Sequence, residues 1–368
     1  MIKYLFANNY KTFVNFKVDF GKSSLLIGKN GSGKSNVLTL IASIRDVVMG
    51  GRAVRELFPA TTVTRWMKSN IQTFELGLSD DDHDYVYRLE IEQSLETSET
   101  KVLSERVYCD SKVIYQKTEG SAEVYDDDLH ADRVLADSAS SGIAFAPTDS
   151  RHSLLKGFRS LIGSIILCTP NPKTMSDLVK NDVFIPTIDF SNIASTFWGV
   201  VLLDPDVYRE LADTFGEMSS GFTKARIAVE PFGKHLALDY MYKDVSCTYL
   251  FSELSDGEKM LFALYILLYG YIGKGMTVLL DEPDNYVSLR EIQPWCINLE
   301  RKLEEAGQCI IVSHHPEIIN YMAETDGIWL SRLSSGESKI MDKPDVGINE
   351  ELLTYSEMIS RGLLDEAE

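Results

Sequence analysis

The sequence has only five cysteines, Cys109, Cys168, Cys247, Cys296 and Cys309, scattered and nowhere spaced as C-x-x-C. An odd, scattered set excludes a disulfide framework, argues against a zinc site and fits a reducing cytoplasm, with each cysteine expected to be an ordinary core or surface residue. No basic, apolar, small-residue leader opens the chain, so no secretory signal is expected. No apolar run has membrane length. The longest, Met260 to Ile272, contains Gly270 and reads as a core helix, so no membrane contact is expected. Internal repeats, heptad runs and low-complexity segments are also missing.

Positive charge is scarce: 36 Lys and Arg face 55 Asp and Glu, a net charge of −19. The imbalance is uneven. Residues 1–74 carry 11 basic and 3 acidic side chains, residues 75–150 carry 6 and 19, and residues 251–368 carry 9 and 22. Such a chain repels nucleic acid at long range, so DNA is a partner that the net charge does not support. The excess of positive charge in residues 1–74 reads more simply as a phosphate site and a solvated face. The acidic runs Asp80–Asp84 and Asp126–Asp128 lack calcium-loop spacing and read as solvated turns.

Within these bounds the chain, 44% apolar over 368 residues, can build one large domain or two. Alternating runs such as "FELGLSDDDHDYVYRLEIEQS" predict antiparallel strands. After Ser255, helices alternate with short buried runs, which predicts a parallel α/β sheet. The expected organisation is an N-terminal lobe over 1–75, an antiparallel β subdomain over 76–140, a mostly helical insertion over 141–245, a C-terminal lobe over 246–335 and an acidic tail over 336–368. Apolar Leu352, Leu353, Tyr355 and Met358 in that tail leave open a docking helix or a solvated end.

Three stretches carry chemistry. "GKNGSGKS", Gly28 to Ser35, matches G-x-x-x-x-G-K-[ST], follows the apolar run "SSLLI" and opens a helix. Gly31 and Gly33 let backbone N–H groups wrap a phosphate, Lys34 reaches the β- and γ-phosphates of ATP, and Ser35 ligates Mg²⁺. The expected nucleotide-binding set is Gly28, Lys29, Asn30, Gly31, Ser32, Gly33, Lys34, Ser35 and Asn36. "TVLLDEP" ends a buried strand in Asp281, expected to hold the Mg²⁺ shell, and Glu282, expected to polarise the attacking water. "CIIVSHHPEII" ends another in His314 and His315. Either is placed to touch the γ-phosphate, and His314 is the catalytic candidate. Gln72, in "NIQTFEL", is the candidate for a loop that senses Mg²⁺ or water, with a plain surface glutamine as the alternative.

"LSDGE", Leu254 to Glu258, is less easily read. Ser255 and Glu258 have capping-box spacing, but Gly257 at an early helical position costs up to ~1 kcal/mol relative to Ala. Its presence implies a close approach to the backbone.

The order phosphate loop, L-S-D-G-E, L-L-D-E-P, S-H resembles the ABC-type ATPases. The opening "NNYKTFVNFKVDF" and the 219 residues from Ser35 to Leu254 resemble the SMC/RecF branch rather than transporter subunits. "DFSNIAS", Asp189 to Ser195, is similar to bacterial AAA-type ATPases found in anti-phage defence operons. The resemblance implies a P-loop NTPase head of the α/β class with an antiparallel subdomain and a helical insertion. It implies that Ser255, Asp256, Gly257 and Glu258 cap ATP held by a second subunit of a homodimer or higher homo-oligomer. Ser288 stands where that defence group often has histidine, which puts the dimer-facing loop in question. The leading function is a dimerising ATPase switch that controls a separate effector protein. The alternative is an SMC/RecF-like ATPase that clamps DNA, and salt-dependent DNA binding separates the two.

Overall fold

The computed structural model describes residues 1–94, 97, 99–118, 120–135, 139–180, 184–231, 233–343 and 354–360. The chain opens with β1 (Ile2–Asn8), β2 (Phe16–Asp19) and β3 (Ser23–Ile27), then α1 (Lys34–Met49) and the short α2 (Val54–Leu57). A run of strands follows: β4 (Ile71–Ser79), β5 (Asp84–Gln93), β6 (Thr100–Cys109), β7 (Lys112–Thr118), β8 (Ser121–Tyr125) and β9 (Ala131–Leu135). The middle holds α3 (Ser153–Gly163), β10 (Ile165–Cys168), α4 (Ile193–Leu203), α5 (Pro205–Met218), β11 (Phe222–Glu230), β12 (Gly233–Tyr242) and β13 (Val245–Leu250). Last come α6 (Asp256–Gly270), β14 (Thr277–Asp281), α7 (Leu289–Glu305), β15 (Gln308–Val312), α8 (Pro316–Asp326), β16 (Gly327–Arg332), β17 (Ser338–Met341) and α9 (Tyr355–Ser360).

Two compact units arise from these elements. The first comprises residues 1–21, 28–165 and 328–343. Its centre is an antiparallel sheet in the order β2-β1-β4-β5-β6-β7-β8-β9. The period-two pattern of β5 sets its faces: Tyr85, Tyr87, Leu89 and Ile91 are buried, and the residues between them are more exposed. α3 turns Leu155, Phe158 and Ile162 inward, and the Phe158 ring lies 6.0 Å from that of Tyr87. A second aromatic cluster joins Tyr10, Phe13, Phe58 and Phe74. The sheet thus takes in β1 and β2 together with the acid-rich strands, and β4 spans the junction expected near residue 75.

Of the described residues, the second unit takes in 22–27, 166–180, 184–231, 233–327 and 354–360. It contains the parallel strands β14, β15 and β3, with β10 beside β14. "TVLLD", "QCIIV" and "SSLLI" are apolar almost throughout because both faces of a parallel sheet are covered. α6 is buried at every residue from Met260 to Tyr269, as a core helix must be, and each large apolar side chain there contributes about 1.5–3 kcal/mol. Strands β11, β12 and β13 form a separate antiparallel sheet, so the segment expected as mostly helical also contributes strands β10, β11 and β12.

In the tail, α9 docks on the chain itself. Met358 is buried, and the Ser356 N–H donates to Asn320 Oδ1 of α8 at 3.0 Å. Leu352 and Leu353 lie outside the described residues. Among the described residues no helix is long and apolar enough to cross a membrane.

Candidate functional site

In the first unit, the Gly28–Gly33 loop is closed by its own lysine. Lys34 is 6% exposed, and its ammonium donates to the carbonyls of Gly28 at 2.7 Å and Lys29 at 3.0 Å. Gly33 is the N-cap of α1 at φ 107°, and a Cβ there would lie 2.9 Å from the Phe13 ring. Only glycine fits. Because glycine offers no capping side chain, and the first turn of α1 holds no acid, the helix start keeps its partial positive charge. Ser32 Oγ is buried and has no hydrogen-bond partner among the described residues. An uncapped helix N-terminus, a buried ammonium and an orphaned hydroxyl suit a phosphate group, which supplies acceptor oxygens to all three. Ser35 is exposed on the first turn.

Lys11 was not singled out by sequence. Its Nζ donates to Asn36 Oδ1 at 2.7 Å, which places a second cation at the start of α1, and burial holds that ammonium below its usual range. No spacing in the sequence marks this contact, because the fold alone bridges the two positions.

Gln72 requires a correction. It lies on β4 rather than in a loop, and it is fully buried rather than on the surface. Its amide donates to the Asn9 carbonyl at 2.9 Å and its oxygen accepts from Gln93 at 3.0 Å. The side chain is committed to joining β4 to its neighbours.

In the second unit, three parallel strands end level. Asp281 pairs with Val312, and Val312 with Leu26, so β14, β15 and β3 present their carboxyl ends at one edge. Ligands of open α/β sheets collect at such an edge. Glu282 leaves β14 in the left-handed region at φ 51°, a conformation that costs a non-glycine residue on the order of 1 kcal/mol and clusters at functional sites. Its N–H donates to the Val312 carbonyl at 2.8 Å and its carboxylate accepts from Asn285 at 3.0 Å. Burial pushes the neighbouring Asp284 carboxyl above its usual range.

The two histidines after β15 separate in role. His315 caps α8, its Nδ1 accepting from the Glu317 N–H at 3.2 Å, whereas His314 is exposed at the strand end.

The "LSDGE" segment starts α6. Ser255 is its exposed N-cap and forms a complete capping box with Glu258; Asp256 lies in the first turn. A Cβ on Gly257 would lie 3.0 Å from the Tyr286 carbonyl oxygen. Within this chain, then, the close approach that the glycine permits comes from the loop after Glu282. Ser288 has a local reason as well: it caps α7 through a box with Glu291.

A phosphate loop opening a helix, a parallel sheet with an acid pair at its carboxyl edge and an antiparallel sheet of the opposite character define an ABC-type P-loop ATPase head. The chain belongs to the family described as "AAA domain, putative AbiEii toxin, Type IV TA system", whose model matches residues 23–156 and 249–320, more than half of its length. No curated protein matches it. Solved structures with the same fold include an SMC head bound to the C-terminal winged-helix domain of ScpA (16% identity, 92% of this chain and 97% of that one, TM-score 0.58). The SMC head domain from Thermotoga maritima is similar (16%, 94% and 99%, 0.51). So is a Pyrococcus furiosus Smc head with an extended coiled coil, bound to the C-terminal domain of ScpA (14%, 92% and 95%, 0.56). The fold class expected from sequence agrees with these matches.

Proposed function

We propose that this chain is an ATP-hydrolysing, dimerising switch that controls a separate effector protein in anti-phage defence. The observation that carries the reading is the closed loop Gly28–Lys34 on the uncapped start of α1, with the orphaned Ser32 hydroxyl inside it. In this reading the loop N–H groups and Lys34 bind the β- and γ-phosphates of ATP, and Lys11 adds positive charge beside Asn36. Ser35 and Asp281 would hold Mg²⁺, which would supply positive charge against the phosphates. Glu282, fixed by Asn285 and by its backbone bond to Val312, orients the attacking water and takes its proton. His314 senses the γ-phosphate.

The exposed Ser255 at the N-terminus of α6 serves the ATP of a second subunit, so that ATP holds two chains together. Support for a separate effector comes from the family description, with its toxin and type IV TA system, and from two similar heads being bound to a different protein, ScpA. The test is turnover. Glu282→Gln keeps ATP affinity and loses hydrolysis by ~10²-fold or more, as for a lost general base; hydrolysis at the parental rate rejects the assignment.

A further inference from the structure

We propose that His83, Cys109 and Asp110 form a binding site for one zinc ion, with water as fourth ligand, that fastens two turns of the antiparallel sheet. The sequence argued against zinc because no cysteines pair in it. The fold instead assembles a mixed nitrogen, sulfur and oxygen set from two hairpins. β5 and β6 pair with Tyr85 opposite Cys109, which brings the turn before β5 beside the turn after β6. His83 Nδ1 lies 2.8 Å from Asp110 Oδ2, Cys109 Sγ lies 3.7 Å from the same oxygen, and all three donor atoms fall within 4.8 Å of one another. Tetrahedral zinc with bonds of about 2.0–2.3 Å sets its ligand atoms about 3.5 Å apart. Side-chain adjustments of about 1 Å therefore close the site.

The surrounding backbone prepares these donors. Asp110 and Ser111 both have positive φ, 47° and 68°, as a tight two-residue hairpin turn requires. The Asp84 N–H donates to Asp110 Oδ1 at 3.0 Å, which leaves Oδ2 turned to His83 and Cys109. Asp80 accepts from the His83 N–H at 2.7 Å and fixes the other turn. His83 and Asp110 are partly exposed, so the ion has an entry path, whereas Cys109 is buried. This set of imidazole, thiolate and carboxylate suits zinc over magnesium or calcium, which take oxygen ligands.

The ligand is the thiolate: on binding, the S–H bond of Cys109 breaks, an S–Zn bond forms and the proton leaves to solvent. The competing account is a His83–Asp110 ion pair with Cys109 as a core residue.

The experiment is a cobalt titration of the full chain, stripped with chelator and free of nucleotide. We expect one equivalent of Co²⁺ to produce a near-ultraviolet thiolate charge-transfer band and intense visible bands of a tetrahedral ion, both abolished by one equivalent of Zn²⁺. Cys109→Ser removes the charge-transfer band, Cys247→Ser keeps it, and His83→Gln weakens Zn²⁺ binding by more than ~10-fold. Absence of the thiolate band in the parent protein overturns the site without recourse to any variant. A band lost with Cys247→Ser but kept with Cys109→Ser overturns it too.

Discussion

Ser255 and Glu258 hold each other across the first turn of α6. The Ser255 hydroxyl and N–H donate to the Glu258 carboxylate at 2.7 and 3.0 Å, and the Glu258 N–H donates back to Ser255 Oγ at 3.3 Å. Any service to a second subunit is added to this local one. Ser255→Ala is therefore expected to cost about 1 kcal/mol of stability in urea unfolding, the usual value of an N-cap. On the proposed function it also lowers ATP turnover by ~10-fold or more at a temperature where the variant is fully folded. A variant that loses the stability and keeps its turnover would confine Ser255 to capping.

Glu105 is fully buried and accepts four hydrogen bonds, from the hydroxyls of Tyr87, Tyr115 and Ser141 and from the Gly142 N–H. Its register partner on β7, Lys117, is also fully buried and bonds the Ser140 carbonyl. Burial first, and then the Glu105 charge, push the Tyr87 and Tyr115 phenols above their usual range, so they remain donors. Glu105→Ala strips four buried donors of their acceptor and should cost ~3–5 kcal/mol. A chemical-denaturation midpoint within error of the parent would show that the network contributes nothing.

Asp239 on β12 is gripped by Arg226 at 2.9 and 3.2 Å and by the Thr248 hydroxyl at 2.7 Å, and these bonds hold its carboxyl below the usual range, Arg226 foremost. A depressed carboxylate stabilises the fold above the unfolded-state value of about 3.9 and loses that contribution as pH falls through the lower folded value. Asp239→Asn should thus be less stable than the parent by ~1–2 kcal/mol at pH 7, with the gap narrowing below about pH 4. Denaturation midpoints across that range decide it; a gap that does not change with pH contradicts the charge account.

With a net charge of −19, the protein alone should bind duplex DNA no more tightly than the ~10⁻⁴–10⁻⁶ M of non-specific association at physiological salt. Fluorescence anisotropy with and without ATP measures this. Sub-micromolar, ATP-dependent affinity would favour the DNA-clamping ATPase instead.

Much of this molecule was legible because its chemistry is local. The phosphate loop, the strand ending in Asp281 and Glu282, and the box between Ser255 and Glu258 are each set by residues a few positions apart, and α6 announced itself as a buried run. What stayed hidden depends on distant pairing. Gln72 looked like a free polar residue until β1 and β5 brought Asn9 and Gln93 against it. Lys11 gains its place only through Asn36. Cys109 and His83 meet because β5 and β6 pair in one register, which spacing cannot reveal. The two histidines after β15 were alike in sequence; the start of α8 sorted them by taking His315 as its cap.

The central claim is that ATP joins two of these chains through Lys34 of one and Ser255 of the other. Light scattering on Glu282→Gln, which should bind ATP without consuming it, tests this most directly. The account predicts a mass that rises from one chain to two when ATP and Mg²⁺ are added, and that stays at one chain when Ser255→Arg is introduced into the same protein. A mass indifferent to ATP, or an ATP-induced dimer that tolerates Ser255→Arg, would contradict it.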